Sequence, residues 1–386
     1  MPKILYVWKG KYPWDVRAEK ICNSFVRNGF EVFLLGRWTE GQAEREDYKG
    51  IHIIRAGYKK DYKLTQPVSF NPVWWSAIKK TIAEIKPDLI MPRDIMLAEA
   101  CGRHGRKNNI PVVMDMAEHY PAAMKGWKKY NQSFLSRLFV HKMDIPELVE
   151  KRAVNIMNGI ITVCEEQNFR LYKEYSFNLS NIQVVHNTPE LDWFKDIHVK
   201  KQSNELIFGH HGYTTDEKNI KNFLLGFIEA AKEENKIWFQ IAGSGESIDD
   251  LRNIANSSTV REQIEFSGSY NFEELPNIIK KFDIGVIPYQ INNFNNYTIH
   301  NKVFDFFSAG KPVFVSATNP FIRLIDESKA GIVVDCEDIN KIKSAILKMR
   351  DYDLKQFSEN GIKAFREKYN WDVDSANMIN FVKKFI

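Results

Sequence analysis

The sequence predicts an α/β protein built from two doubly wound domains, and three observations carry the prediction. The chain has 386 residues, too many for one ordinary core and enough for two domains of roughly 150 to 200 residues. Short apolar runs alternate with segments of helical length, which is typical of parallel sheets covered by helices. This alternation begins twice, at Ile4 and at Leu206, and a polar, proline-containing stretch at 187–204 separates the two series.

The first series opens with a strand at 4–8, a loop at Gly10, a helix at about 16–28 that Gly29 ends, and a strand at 31–35. Such a unit joins parallel strands. The series continues with strands at 88–91, 111–114 and 159–163 and helices at 97–108 and 146–157.

The second series has the same character. Its strands are predicted at 206–209, 238–242, 264–266, 284–287, 313–316 and 331–334, and its helices at 219–233, 273–282 and from residue 300. We therefore expect domains at 1–190 and 191–370. A last helical pattern follows at 371–386.

Composition excludes several classes of protein. The 54 basic and 49 acidic side chains leave a net charge of +5, too small for a duplex nucleic-acid binder of this length. The four cysteines have no paired spacing, which argues against a zinc site or a disulfide framework and favours a reducing cytoplasm. With no apolar leader and no apolar run of membrane-spanning length, we expect a protein that is neither secreted nor membrane-spanning.

The most informative stretch is HNKVFDFFSAGKPVF, from His300 to Phe314. It predicts a short amphipathic helix that breaks at Gly310 and leads into a buried strand. Lys302 and Asp305 lie one turn apart on one face of this helix. A helix start with free N–H groups suits a phosphate or a sugar hydroxyl, so we expect a nucleotide-sugar here.

Other motifs occur in a fixed order around this one. They are Asn28-Gly29-Phe30-Glu31-Val32, Asp115 to Pro121, Gly159 to Val163, Val185 to Pro189, Gly212 with Glu217-Lys218-Asn219, Ile241 to Gly245, Phe282 to Pro288, and Asn301 to Pro312. Over nearly the whole chain, this order resembles the GT-B glycosyltransferases of family 4, also called glycosyl transferases group 1. The resemblance implies two facing Rossmann-like domains with a cleft between them. The C-terminal domain would hold the nucleotide-sugar, and the final helix would pack back on the first domain.

The resemblance assigns the donor side of the predicted site. Lys218 would neutralise the departing diphosphate, and Asp305 stands where relatives carry a glutamate that holds the ribose hydroxyls. An ordinary solvated lysine and a surface carboxylate remain the alternatives. The expected donor-binding residues are Gly212, Lys218, Gly243, Gly245, Tyr270, Thr298, Ile299, His300, Asn301, Lys302 and Asp305.

Two positions depart from the family pattern. Tyr213 stands where relatives often carry an arginine, which removes a charge from the phosphate site or moves its task to another residue. Tyr297 replaces a glutamate of many retaining relatives, so the stereochemical outcome stays open. Gly243 and Gly245 form only a short Gly-x-Gly, which favours a tight turn near the base over a phosphate cradle.

Catalytic and acceptor-side residues are expected in the first domain. Glu118 and His119 follow a buried strand, at the sheet edge where α/β proteins bind ligands. The resemblance gives His119 a contact with the donor sugar and, in inverting relatives, requires a carboxylate base. Asp94 and Asp115 compete with Glu118 for that task. Three residues of the first loop and helix, Gly10, Tyr12 and Arg17, would meet the acceptor or the diphosphate, and packing explains Arg17 as well.

The stretch 124–142 interleaves aromatic and basic residues. Such a segment can lie in an anionic membrane interface, and a solvated loop packed on the domain is the alternative.

The combined expectation is a metal-independent glycosyltransferase without a cofactor. Its donor would be linked to UDP or GDP, and its acceptor would be a hydroxyl that a lipid could carry. Bacterial surface polysaccharide or glycolipid synthesis would be its setting. A nucleotide-sugar epimerase and a scaffold without a donor site remain the alternatives.

Overall fold

The computed structural model describes residues 1–13, 15–194 and 204–386, and these form two compact units. The first unit comprises Met1–Asn187 and Asp374–Ile386, and the second comprises Thr188–Val373. The division falls within a few residues of the predicted boundary at 190. Residues 195–203 of the predicted join lie outside the described residues.

The first unit contains a parallel sheet with one antiparallel edge strand. Strands β1, β2, β4 and β5 run parallel, while β3 pairs with β4 in the opposite sense. The sheet order is β3-β4-β2-β1-β5, and β6-β7-β8 continue it through parallel bridges from Ile90 to Val112 and from Arg93 to Asp115. The strands are β1 (Lys3–Lys11), β2 (Glu31–Arg37), β3 (Arg45–Tyr48), β4 (Ile51–Ala56), β5 (Leu89–Pro92), β6 (Val113–Asp115), β7 (Gly159–Thr162) and β8 (Ile182–Val184).

The hairpin between β3 and β4 was absent from the predicted elements. Tyr48 pairs with Ile51, so only Lys49 and Gly50 form the turn, and both have positive φ, at 51° and 79°. Such a two-residue turn matches the twist of antiparallel strands. The prediction of parallel pairing for β1 and β2 is confirmed.

Helices cover this sheet. In α1, the carboxylate of Asp15 accepts a hydrogen bond from the backbone N–H of Ala18 at 2.9 Å, which caps the helix start. Ile21, Cys22 and Phe25 form its buried face. The helices of this part of the chain are α1 (Val16–Arg27), α2 (Pro72–Ile85), α3 (Ile95–Lys107), α4 (Tyr120–Gly126), α5 (Lys128–Asn131), α6 (Phe134–Arg137), α7 (Ile145–Val154) and α8 (Glu165–Tyr175).

The second unit has a fully parallel six-stranded sheet in the order β11-β10-β9-β12-β13-β14. Its strands are β9 (Leu206–His211), β10 (Ile237–Ala242), β11 (Ile264–Gly268), β12 (Ile284–Ile287), β13 (Val313–Ser316) and β14 (Gly331–Val334). Strand order reverses between β9 and β12. Open α/β sheets bind ligands beyond the carboxyl ends of the strands at such a reversal.

Aromatic side chains fill much of the second core. Phe223 of the first helix packs on Phe239 with ring centroids 4.9 Å apart and on Phe314 at 5.2 Å. The helices are α9 (Ile220–Ala231), α10 (Ile248–Asn256), α11 (Leu275–Lys281), α12 (Lys302–Ser308), α13 (Asn319–Ser328), α14 (Ile339–Leu347) and α15 (Leu354–Glu367). The predicted break after α12 lies at Gly310, which has a positive φ of 61°.

The last helix, α16 (Trp371–Val382), begins in the second unit and ends in the first. Met378, Phe381 and Val382 are buried. At Gly159, the first residue of β7, a Cβ atom would lie 2.7 Å from the ring of Phe385, so only glycine fits beneath this segment. Within the described residues, none of the helices combines the length and the apolar character needed to cross a bilayer.

Candidate functional site

In the second unit, several loops converge beyond the carboxyl ends of β9 and β12. Gly212 directly follows β9, and Tyr289 lies just after β12. The loops bind each other, because the N–H of Gln290 donates to the carbonyl of Glu217 at 3.4 Å and its side-chain amide donates to the carbonyl of Asp216 at 3.3 Å. The sequence-predicted residues Gly212 and Lys218 therefore lie at the strand-order reversal.

Two lysines meet around one aromatic ring. The Nζ of Lys218 lies 4.3 Å from the ring centroid of Tyr289, and the Nζ of Lys302 lies 5.9 Å from the same centroid. Both distances are within the range of cation–π attraction. Burial raises the pKa of the Tyr289 phenol, while Lys218 opposes that rise. The phenol therefore stays neutral, and the positive charge of the lysines defines this part of the site.

The Asp305 carboxylate lies on the same side of the unit. Its Oδ2 is 3.7 Å from the Nε2 of His211, whose Nδ1 lies 3.2 Å from the hydroxyl of Tyr270. Burial, followed by the nearby Asp305 charge, raises the pKa of the Tyr270 phenol. A carboxylate, an imidazole and a phenol thus form a chain of polar groups, which can bind hydroxyls by charge-assisted hydrogen bonds.

Three histidines here are neutral at physiological pH. Burial and the Lys302 charge lower the pKa of His210 to about 3, and burial and the same lysine hold the pKa of His211 well below its ordinary value. Burial, with Lys218 as the next cause, does the same to the pKa of His300. A neutral imidazole can donate one hydrogen bond and accept another, which suits a polar ligand.

Several buried polar atoms around these loops have no hydrogen-bond partner among the described residues. They are the Nε2 atoms of His210 and His211, the hydroxyl of Tyr289 and the Oγ1 of Thr298. Buried polar atoms in proteins are normally paired, so exceptions that cluster together point to a bound ligand or to water.

The residues before α12 lie at the predicted helix start. Thr298 and Ile299 are buried, Thr298 has extended backbone at φ −139°, and Asn301 is the N-cap. The imidazole of His300 is fixed by a 2.7 Å contact from its Nε2 to the Asn295 side chain and by edge packing on Tyr289 at 4.3 Å. The predicted contact of these residues with phosphate stays a prediction.

Gly243 and Gly245 let two strand extensions approach each other. They have φ values of 141° and 153°, and a Cβ at either one would meet the backbone of the segment after β9. The N–H of Gly243 donates to the carbonyl of Gly268 at 2.8 Å, and that of Thr214 donates to Ser244 at 2.8 Å. This geometry supports the tight turn that the sequence favoured over a phosphate cradle.

In the first unit, the corresponding sheet edge holds a buried charged network. The Arg17 guanidinium donates to Asp115 at 2.7 and 3.0 Å, and also to the carbonyl of Val185. The Tyr6 hydroxyl donates to Asp115 at 2.9 Å. Burial would lower the pKa of Arg17, but the Asp115 charge outweighs it and raises that pKa. This placement favours the packing role that the sequence left open for Arg17.

The other acceptor-side residues of the prediction lie near this network. The Asp94 carboxylate accepts from the Tyr120 hydroxyl at 3.0 Å and from the N–H of Ala117 at 3.2 Å, and burial raises its pKa. Tyr12 is fully buried, while Gly10 is partly exposed. Burial therefore places Asp94 and Tyr12, like Asp115, away from bulk solvent.

Glu118 and His119 lie in the short loop between β6 and α4, after the buried strand as the sequence predicted. Glu118 is partly exposed, while His119 is buried and is the N-cap residue of α4. The Glu118 charge contributes to the raised pKa of Tyr120, after burial and Asp94. Of the carboxylates proposed as bases, Glu118 is therefore more accessible than Asp94 and Asp115.

One group of three carboxylates among the described residues is close enough to hold a cation. The oxygens of Glu147, Glu150 and Glu174 in the first unit lie within 4.8 Å of one another. Arg170 donates to Glu150 at 2.7 and 2.9 Å and to Glu174 at 2.9 Å, and the Tyr175 hydroxyl donates to Glu150 at 2.7 Å. Arg170 pairs with Glu150 and Glu174, and Lys125 lies 3.6 Å from Glu147, so these groups form a structural ion-pair network.

Sequence reasoning missed three residues of the second-unit cluster, namely His210, His211 and Tyr289. Each stands at the carboxyl end of a switch-point strand or just beyond it. The signal was therefore present: two histidines precede the predicted Gly212 loop, and a tyrosine follows Pro288.

Sequence comparison places both units in one enzyme class. Residues 16–193 match the sequence model for Glycosyltransferase Family 4, and residues 205–351 match the model for Glycosyl transferases group 1. The chain belongs to the group 1, family 4-like glycosyltransferases. It is also 24% identical over 237 residues to an uncharacterised glycosyltransferase of Methanocaldococcus jannaschii, covering 58% of this chain and 59% of that protein. The match thus spans about three fifths of the relative's length.

Solved structures agree in fold. The sucrose-phosphate synthase of Thermosynechococcus elongatus matches with a TM-score of 0.75 at 15% identity, over 100% of this chain and 99% of that one. Anabaena HepE in complex with UDP matches with a TM-score of 0.70 at 10% identity, over 100% of both chains. These identities show the fold alone: two Rossmann-like domains of the GT-B type, as the sequence predicted.

Proposed function

We propose that the protein transfers a sugar from a nucleoside diphosphate sugar to a hydroxyl acceptor, without a metal or another cofactor. The observation that carries the proposal is the cluster at the β9–β12 reversal, where Lys218 and Lys302 flank Tyr289 and Asp305 lies beside His211. Cations suit a diphosphate, and a carboxylate suits vicinal ribose hydroxyls. The UDP bound by Anabaena HepE supports a nucleoside diphosphate as the ligand.

In this proposal the protein acts by positioning and by electrostatics. Sugar transfer develops positive charge on the sugar and negative charge on the departing diphosphate. Lys218 stabilises the diphosphate, which replaces the charge that a metal would supply. In the first unit, His119 contacts the donor sugar and Glu118 accepts the proton of the acceptor hydroxyl, if transfer inverts the configuration.

Thermal unfolding with UDP, GDP, ADP, dTDP and CMP tests the donor assignment. A ligand that binds only the folded state raises the melting temperature by mass action. We expect one of the diphosphates to do so, UDP or GDP first. No shift with any of them would favour a scaffold without a donor site, and conversion of a nucleotide-sugar in the absence of an acceptor would favour an epimerase.

Replacing Lys218 tests the leaving-group role. Lys218→Ala should lower turnover more than donor affinity, because the charge on the diphosphate grows in the transition state. Lys221→Ala is the matched control, since Lys221 is an exposed lysine on the following helix turn. Full turnover in Lys218→Ala would refute the role, and turnover that survives a chelator would support metal independence.

We further propose that the segment 124–142 contacts an anionic membrane, which would bring the protein to a lipid-linked acceptor at the inner face of the cytoplasmic membrane. Phe134 and Leu135 are 72% and 62% exposed, and Phe139 is also exposed. Arg137 and Lys142 are exposed beside them. Apolar side chains flanked by cations suit the interface of an anionic bilayer. Polysaccharide or glycolipid synthesis is the setting that this proposal supports.

Flotation with vesicles tests the contact. The unaltered protein should float with vesicles that contain anionic lipid at low salt, and a Phe134→Ser, Leu135→Ser variant should float less. Phe169→Ser is the control, because Phe169 is an exposed phenylalanine on α8, outside the segment. Equal flotation of all variants, or none by the unaltered protein, would discard the membrane contact and leave the donor assignment unaffected.

A further inference from the structure

We propose that Lys302 supplies the second cation for the donor diphosphate, in place of the arginine that this chain lacks at position 213. The inference rests on the proposed function, because it requires a diphosphate at the β9–β12 reversal. The positive charge that relatives often carry at the position of Tyr213 would come in this chain from Lys302.

Position 213 contributes no cation. Tyr213 follows Gly212, and its side chain is 56% exposed. Of the expected pair, an arginine and a lysine, only Lys218 is present. A single lysine against a diphosphate leaves much of the ligand charge uncompensated.

Lys302 reaches the same place from another element. Its helix, α12, begins after the loop at 298–301 and directs the side chain back toward the end of β9. The Nζ would lie 2.9 Å from a Cβ on Gly212, so the amine rests against the backbone of this glycine. Gly212 has φ 102°, a conformation that favours glycine, and the missing side chain leaves room for the amine.

The two lysines share one aromatic support. The Nζ atoms of Lys218 and Lys302 lie 4.3 and 5.9 Å from the centroid of the Tyr289 ring. The ring thereby attracts both ammonium groups without neutralising their charge. Two cations around one ring suit a ligand with two negative groups, as in a diphosphate.

The surroundings leave Lys302 incompletely compensated. Among the described residues, its amine donates no hydrogen bond that meets ordinary distance criteria, and Asp305 lies one turn further along α12. Burial lowers the pKa of the Lys302 ammonium, and the Asp305 charge only partly opposes this. Lys302 is only partly exposed, so water solvates its ammonium incompletely, and a bound phosphate would supply the missing acceptors.

The test compares UDP with UMP, or GDP with GMP if the thermal screen selects guanine, by isothermal titration. The unaltered protein should prefer the diphosphate. Lys302→Met should weaken diphosphate binding about tenfold to a hundredfold and leave monophosphate binding nearly unchanged, consistent with the loss of one charge-assisted hydrogen bond. Lys221→Met, which removes an exposed lysine from α9, should match the unaltered protein.

A charge placed at the family position gives the decisive comparison. Tyr213→Arg in the Lys302→Met background should restore most of the preference for diphosphate. The reason is that it places a positive charge at the position where relatives often carry an arginine. Lys302→Gln serves if Lys302→Met does not fold, since it keeps a polar side chain and removes the charge. Folding of each variant is checked by thermal unfolding without nucleotide.

The outcomes separate the two proposals. If the unaltered protein binds no nucleoside diphosphate, the donor assignment fails and this inference fails with it. If it prefers the diphosphate and folded Lys302→Met or Lys302→Gln has the same preference, the donor assignment stands and the role of Lys302 is refuted.

Discussion

Replacing His186 by glutamine tests whether a buried charge holds the returning helix α16. The Nδ1 and the backbone N–H of His186 each lie 3.2 Å from Asp374 Oδ1, and its Nε2 lies 3.6 Å from Glu165. All three residues belong to the first unit, and Asp374 is the first residue of its C-terminal segment. Burial would lower the pKa of His186, but the hydrogen bonds to Asp374 and Glu165 outweigh it and raise the pKa to about 9.

The size of the stabilisation by His186, and the pH range over which it is lost, follow from this pKa. An ordinary histidine titrates near pH 6.5, so the difference from about 9 corresponds to roughly 3 kcal/mol of stabilisation, at about 1.36 kcal/mol per pH unit. A raised pKa in the folded state gives its full stabilisation below about pH 6.5. That stabilisation is lost as the pH rises through about 9.

The assay is denaturant unfolding of the unaltered protein and His186→Gln at several pH values from 6 to 9.5. The difference in unfolding free energy should be largest near pH 6 and should shrink by about 3 kcal/mol by pH 9.5. The pKa values of His210, His211 and His300 are lowered, so these side chains change charge below about pH 6.5. Their titration therefore lies outside the pH range in which the stabilisation by His186 is lost. His141→Gln, at an exposed histidine paired with the neutral Asn131, is the control. A difference that is independent of pH would refute the buried charge.

Three further predictions concern single residues. Asp305→Asn should weaken nucleoside diphosphate binding about tenfold to a hundredfold in titration calorimetry, as expected for a lost charge-assisted hydrogen bond, and equal affinity would remove it from the site. Arg17→Met should destabilise the protein by about 3 to 5 kcal/mol, because it leaves the Asp115 carboxylate buried without its partner, and adding Asp115→Asn should recover part of that loss in denaturant unfolding. Gly243→Ala should cost at least about 2 kcal/mol, since it adds a backbone clash to an unfavourable φ, whereas Gly268→Ala, where a Cβ meets nothing within 4 Å, should cost less in the same measurement.

The sequence predicted the fold well because parallel strands carry a strong local signal. Strands buried on both faces appear as continuous apolar runs, such as Ile284 to Ile287, and glycines mark the ends of the helices that follow. Strand β3 was missed because its sequence, Arg-Glu-Asp-Tyr, is polar and half-exposed, whereas β4 is apolar and largely buried and was overlooked despite its pattern. An edge strand that packs on one side only has little of the apolar pattern on which the prediction depends.

The candidate site was predicted unevenly for a different reason. Lys302 and Asp305 were named because they lie one turn apart at a predicted helix start, and the family resemblance added a role for Lys218 and Asp305. His210, His211 and Tyr289 look like ordinary residues of buried strand ends, and only the strand order brings them to the lysines. For Arg17, the interior partner Asp115 lies 98 residues away, a separation that no local pattern encodes.

The return of α16 to the first unit has a consequence for biosynthesis. Because the first unit includes residues 374–386, the second unit is an insertion within it. On the ribosome, the whole of the second unit emerges before the first has received its last segment, so the later-encoded unit is the first that can fold to completion. Until then, the sheet around Gly159 lacks the rings of Phe381 and Phe385 that cover it. This apolar surface therefore stays uncovered until residues 381–385 have been synthesised.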